Sequence, residues 1–307
     1  MAPAEPISLR PGTPDDGPAC WRVLYQAIND LARRTGSDPI PGEVDASYAR
    51  FEAISQYLAE TAAEFWVAED QSSGELIGYA RSIEHGGFFE LTEFFVLPGH
   101  QAAGVGRQLL ARAFPADRGD LRVIVATTDV RALARYAKAG MTARTVVASL
   151  MGTPTPPAPP PSPDPVLVVE RVEPEAPLEE LAALDRAIAG FDRGPVLAWL
   201  ASTREALVFR RDGRAVGYAF VSERGTGPIG ANDPDDLPQI LDEVLRRAAA
   251  LGAAESATFE VPMSNGAALR HLLARGLQID SFLTVLLSNR EFGRMDRYLA
   301  YSPPIFL

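Results

Sequence analysis

The stretch VLPGHQAAGVGRQLL, residues 96–110, ends an apolar run at Val96-Leu97-Pro98, passes two glycines at Gly104 and Gly106, and opens a helical pattern. A strand, a glycine loop and a helix start make a cradle for an anion. Glycines let the backbone approach closely, and the N–H groups of the first helical turn point at the ligand. The small Ala102 and Ala103 keep that approach open, and Arg107 adds a charge. A Walker A loop needs Gly-Lys-Ser/Thr, but Arg107-Gln108 follows Gly106 here, which excludes a P-loop nucleotide site. A dinucleotide fingerprint needs a glycine where Leu109 stands and a βαβ unit where the pattern reads as antiparallel hairpins. What remains is Q-x-x-G-x-G, present as Gln101-Ala102-Ala103-Gly104-Val105-Gly106. Lacking a lysine, this cradle relies on backbone donors, which suits a pyrophosphate that is held rather than a phosphoryl group that is transferred.

The elements that must position this loop follow from periodicity and turn residues. A strand at Ile7–Arg10 leads to a helix capped by Thr13 or Asp15 and running to Arg34, and a second helix covers 45–61. Glu64–Glu69, Leu76–Ile83 and Phe88–Leu97 read as strands joined by the turns Ser72-Ser73-Gly74 and Gly86-Gly87. The motif helix runs to Phe114. It is followed by a strand at Leu121–Thr127, a helix at Val130–Lys138 stopped by Gly140, and a strand at Ala143–Leu150. Residues 153–165, TPTPPAPPPSPDP, favour extended polyproline and read as a linker. Residues 1–152 and 166–307 are then two domains, each an α/β (α+β) unit with a mixed, mostly antiparallel twisted sheet flanked by helices. The second half repeats the order of the first, and RALARYAKAGM (131–141) lines up with AALRHLLARGL (267–277), Gly140 on Gly276. Both glycines stand where a helix takes a left-handed C-cap.

Together, FFVLPGHQAAGVGRQLL (94–110) and RALARYAKAGM (131–141) make residues 7–150 resemble the GNAT superfamily of acyl-CoA-dependent N-acyltransferases. The resemblance implies acetyl-CoA as co-substrate, no metal, and direct transfer of the acetyl group to a primary amine of a small molecule or peptide. It implies that the backbone of Phe94, Phe95 and Val96 lies along the pantetheine arm. It also implies that Gln101, Ala102, Ala103, Gly104, Val105, Gly106 and Arg107 hold the pyrophosphate. Tyr136, four residues before Gly140, takes the family's role of protonating the departing CoA thiolate. The chain departs from the family at Asp129, where Asn is usual, and at Met141, where Phe is usual. Asp129 is also a helix N-cap residue by type.

A general base is expected on the strand leading into the loop. Strict alternation places Glu90, Thr92 and Phe94 on the face of Val96, and Glu93 with Leu91 and Phe95 on the other. The family tends to place its base on the former face, which favours Glu90 over Glu93. His85 and His100 are further candidates, while Trp66 and Phe51 read as core before pocket lining.

Composition bounds the rest. The 307 residues carry 47% hydrophobic and 22% charged side chains and a single cysteine, Cys20. That is a globular composition, without an intrachain disulfide, expected in the cytoplasm. The net charge of −11 argues against nucleic acid and anionic membranes as partners. The first hundred residues are acidic and the segment 101–152 is basic, which suits an anionic cofactor beside a cationic amine. In the second half DPDDLPQ (233–239) stands opposite the motif loop with no glycine and three aspartates, which would repel a pyrophosphate. The second domain is therefore expected to be a degenerate GNAT repeat. It would close the substrate pocket or build a homodimer through its final strand and the tail SPPIFL. The alternative to an enzyme is an acyl-CoA-binding or assembly module that keeps the loop and lacks a competent base.

Overall fold

The computed structural model describes residues 7–100, 104–155, 167–173, 175–223, 225–253 and 257–301. Linker residues 156–166, tail residues 302–307, and with them the homodimer expected from that tail, lie outside the described residues. In chain order the first half gives β1 (Ile7–Pro11), α1 (Gly17–Thr35), α2 (Val44–Glu60), β2 (Glu64–Asp70), β3 (Leu76–His85) and β4 (Phe88–Val96). It continues with α3 (Val105–Ala113), β5 (Leu121–Thr127), α4 (Val130–Lys138) and β6 (Thr142–Gly152). The second half gives β7 (Val168–Val172), α5 (Glu179–Ala189), α6 (Gly194–Thr203), β8 (Glu205–Arg211), β9 (Arg214–Ser222) and β10 (Gly225–Ala231). It ends with α7 (Leu237–Ala248), β11 (Ala257–Pro262), α8 (Gly266–Ala274), β12 (Gln278–Ser288) and β13 (Tyr298–Leu299). From β7 to β12 the order repeats that from β1 to β6, as the sequence pattern predicts. α6, β10 and β13 were not legible there. GTGPIGA carries the glycines and proline of a loop, and α6 is apolar around much of its surface, so neither shows its period.

By their internal contacts the residues form two compact units, Met1–Ile124 with Asp129–Met141, and Val125–Thr128 with Thr142–Leu307. By contacts the units divide after Ile124, Thr128 and Met141, whereas the sequence pattern sets the end of its first domain at 152. The reason is backbone pairing: β6 lies between β11 and β12 and is antiparallel to both. Strand β6 thus groups with the second unit, although its sequence reads as the last strand of the first.

In the first unit the strand order is β1-β2-β3-β4-β5, antiparallel except for the parallel pair β4–β5. One face packs on α1 and α2 through Trp21, Leu24, Phe65, Val67 and Tyr79. The other receives α3, where the Ser82 hydroxyl donates to the Ala113 carbonyl at 2.7 Å. The entry to α1 is fixed by Asp16, whose carboxylate accepts the Thr13 N–H at 2.8 Å and pairs with Arg10. Arg10 holds that carboxyl below its usual range.

In the second unit β13-β10-β9-β8-β7 form an antiparallel sheet, and α7 packs on it through Leu237, Ile240, Leu241 and Val244. A buried polar cluster braces this unit. Arg193 pairs with Asp185 at 2.6 Å, and the Tyr218 hydroxyl donates to the same carboxylate.

Candidate active site

Two features of β4 organise the first unit's site. Its parallel ladder with β5 runs from Phe88↔Leu121 to Leu91↔Ile124 and stops there, although β4 continues to Val96. Thr92–Phe95 therefore present a backbone edge toward β5 with no strand partner among the described residues, a set of donors and acceptors that an extended ligand can satisfy. The second feature is a β-bulge. Against β3 the register passes from Ser82↔Leu91 to Arg81↔Glu93, leaving Thr92 as the extra residue, its hydroxyl donating to the Arg81 carbonyl at 3.0 Å.

The bulge corrects the expected alternation. One extra residue exchanges the faces beyond it. Glu90 and Glu93 now share a face with Phe95, opposite Ile83, Arg81 and Tyr79, while Leu91, Phe94 and Val96 share the α3 face. Glu90 is therefore not on the Val96 face. It is wholly buried, at a level where β4 and β5 still pair. Glu93 is committed to structure. It pairs with the fully buried Arg81 at 2.8 Å and accepts the Tyr79 hydroxyl at 2.8 Å. Arg81 in turn donates to the Ser55 carbonyl and lies over the Phe65 ring at 4.5 Å.

On the α3 face the cradle takes shape. Gln101, Ala102 and Ala103 lie outside the described residues. Gly104 is the N-cap of α3 at φ 79°, a left-handed conformation that favours glycine. Gly106 faces the flexible end of Arg135 and the Phe94 ring. A Cβ there would stand 2.6 Å from Arg135 Nη1, 3.2 Å from Phe94 Cζ and 3.6 Å from Val96 Cγ2. Val105 is fully buried, so only its backbone is offered to a ligand, and Arg107 is exposed. The Arg107 N–H already donates to the Gly104 carbonyl at 3.1 Å, and the other first-turn N–H groups give the helix end a positive potential. Phe95 points away, its ring 5.9 Å from that of Tyr79, so its contribution to an extended ligand is also backbone.

Tyr136 is buried on α4, edge-on to Phe94 with ring centroids 6.4 Å apart. Burial pushes its phenol above the ordinary range, so the group keeps its proton. Gly140, at φ 81°, closes α4 with the expected left-handed residue. Asp129 caps α4 by accepting the Arg131 N–H at 2.8 Å and ties it to α1 through Arg34 at 2.9 Å. Its carboxyl is held far below the usual range by Arg131 and Arg34, against the opposing effect of burial. Cys20 is a core residue whose thiol burial pushes up, which removes it as a nucleophile. His85 sits at the β3–β4 turn opposite Phe88, and the His100 N–H closes a turn on the Leu97 carbonyl. Phe51 lies against Trp21 with tilted rings and centroids 4.7 Å apart, and the Trp66 indole donates to Glu64. Among the described residues there is no group of three metal-ligating side chains, and no helix long and apolar enough to cross a membrane.

Sequence reasoning missed the bulge, for which no residue pattern speaks. It also missed Arg135, whose signal was its place beside Tyr136 in a basic segment.

Residues 61–141 match the family model described as an acetyltransferase (GNAT) domain. That match spans β2 to the end of α4, within the first half of the chain. Solved structures extend the likeness in fold to the whole chain. A candidate acetyltransferase from Pyrococcus horikoshii is 18% identical, over 97% of this chain and 95% of that one, with a TM-score of 0.71. A GCN5-related N-acetyltransferase from Sphaerobacter thermophilus is 17% identical over 92% and 95%, with a TM-score of 0.61. A tandem GNAT protein of the clavulanic acid biosynthesis pathway is 14% identical over 92% and 98%, with a TM-score of 0.54. No curated protein matches.

Proposed function

We propose that the first half is an acetyl-CoA-dependent N-acetyltransferase that passes the acetyl group directly to a primary amine of a small molecule or peptide. One observation carries this reading. β4 leaves its ladder with β5 at Leu91, on the strand that runs into the glycine-opened first turn of α3, and Tyr136 packs against the same strand. The residues fit the co-substrate. The β4 edge offers backbone groups to a pantetheine arm, and the α3 N-terminus offers N–H groups and Arg107 to a diphosphate. When bound, acetyl-CoA supplies an acyl group activated as a thioester.

The chain's own groups orient that acyl group and move one proton. Tyr136 donates from its hydroxyl to the leaving sulfur, and its raised pKa keeps it protonated until then. Glu93 holds Arg81, and Glu90 is buried beside the same face, so the amine's proton is assigned to water rather than to either carboxylate. Positioning of the two substrates supplies much of the acceleration.

The second half is read as a degenerate GNAT repeat that leaves the co-substrate to the first. At the start of α7, Asp233 accepts the Asp235 N–H at 3.0 Å, and Asp236 is buried against Arg211. Carboxylates thus crowd the approach to that helix end, and they repel phosphate. The reading is of a cytoplasmic enzyme for soluble amines, in keeping with the net charge of −11.

The test is an assay of free CoA thiol released from acetyl-CoA across a panel of polyamines, aminoglycosides, amino acids and peptides. At least one amine is expected to drive release above the rate of hydrolysis. Acetyl-CoA binding with no release for any amine class would favour a binding module instead.

A further inference from the structure

Beside the α3 N-terminus a groove of about 830 Å³ runs between α3 and α4, lined among others by Gly104, Arg107, Leu110, Phe114, Arg135 and Ala139. It is cationic at the end where the diphosphate is placed. Arg107 Nη2 lies 3.8 Å from where a Gly104 Cβ would stand, and Arg135 Nη1 lies 2.6 Å from the corresponding position at Gly106. The two guanidinium groups thus come from different helices to the same turn. Neither has an ion-pair partner among the described residues. The acid nearest to Arg135 in the α4 sequence, Asp129, is taken by Arg34 and Arg131. Two unneutralised cations beside a helix end that is itself positive repel one another, and a polyanion in the groove relieves that repulsion. The glycine at 106 also leaves room for the Arg135 head to reach the turn.

Resting on the acetyl-CoA reading above, we propose that Arg135 is a specificity determinant for the acyl donor. From α4 it closes on the phosphates that Arg107 and the α3 N–H groups hold from the other side. The groove takes the nucleotide half of the donor, and the site therefore selects a nucleotide-bearing thioester over a bare pantetheine thioester. Arg135 acts on donor binding and not on the proton transfer of its neighbour Tyr136.

The experiment compares Arg135→Met and Arg135→Lys with the unaltered chain, using CoA, adenosine 3′,5′-bisphosphate and pantetheine as calorimetric ligands and S-acetylpantetheine as an alternative donor. Thermal melting confirms folding. Losing a charged hydrogen bond to phosphate, Arg135→Met is expected to bind CoA roughly tenfold or more weakly. The bisphosphate weakens in parallel, pantetheine is unchanged, and kcat at saturating acetyl-CoA is retained. Arg135→Lys recovers part of the affinity, because it keeps the charge but not the planar fork. Unaltered CoA affinity in Arg135→Met overturns the proposal. So does an equal loss with both donors, which would show that the residue acts through the helix. If the unaltered chain binds no CoA, the donor reading itself fails, and that result is distinct from either.

Discussion

Glu93→Ala is expected to destabilise the first unit by about 3–5 kcal/mol, because it leaves a buried guanidinium without its counter-charge. Arg81 and Glu93 are both wholly inaccessible and 2.8 Å apart, and in the native fold bulk water does not reach the guanidinium. Arg81 would keep the Ser55 carbonyl and the Phe65 ring, neither of which carries a full charge. The Tyr79 hydroxyl would lose its acceptor as well. Urea denaturation measures the loss. A double replacement, Arg81→Met with Glu93→Leu, is expected to recover much of it, since apolar side chains of similar size often replace a buried pair at little cost. If Glu93→Ala leaves stability untouched and removes turnover, the carboxylate is catalytic and its structural assignment is wrong.

Tyr136→Phe is expected to lower kcat about 100-fold with KM for acetyl-CoA unchanged, the lower end of what a positioned acid contributes. Phenylalanine keeps the ring that packs against Phe94, so the change removes the proton donor and little else. The sign of the pH dependence follows from burial. A phenol raised above its ordinary value near 10 stays protonated through neutral and mildly alkaline pH, so loss of this acid does not slow the reaction below about pH 10. Steady-state kinetics at several pH values check both points. Turnover that survives the substitution unchanged would remove Tyr136 from the chemistry.

The parts of this site legible in the sequence are those fixed by local conformation. Gly140 and Gly276 stand where a helix takes a left-handed C-cap, and their φ values of 81° and 89° follow. Asp129 caps a helix because its short carboxylate reaches the first turn. Most of the repeated element order could be read because most of its strands and helices keep their own period, α6 and β10 excepted. A second repeat signature was also there to read, Gly78-Tyr79-Ala80 against Gly217-Tyr218-Ala219, each tyrosine hydroxyl donating to a buried carboxylate paired with arginine.

The face of Glu90 was not legible. A single extra residue at Thr92 inverts Glu90 and Leu91 relative to Val96, while Glu93 stays with Phe95 as alternation has it, and nothing in FFELTEFFV marks the bulge. Nor was the affiliation of β6, whose partners β11 and β12 come from far along the chain. Long-range pairing chooses between arrangements that local patterns leave equal.

The most direct test of the central claim, one donor site per chain at the glycine-opened turn of α3, is a calorimetric titration of the full chain with acetyl-CoA, repeated on Gly106→Glu. The substitution puts a carboxylate where phosphate is to sit and pushes on Arg135 and Phe94. The predicted result is one site per chain in the unaltered protein, weakened about 100-fold or more by the like charge in the variant. Two equivalent sites, no binding, or affinity indifferent to Gly106→Glu would contradict it.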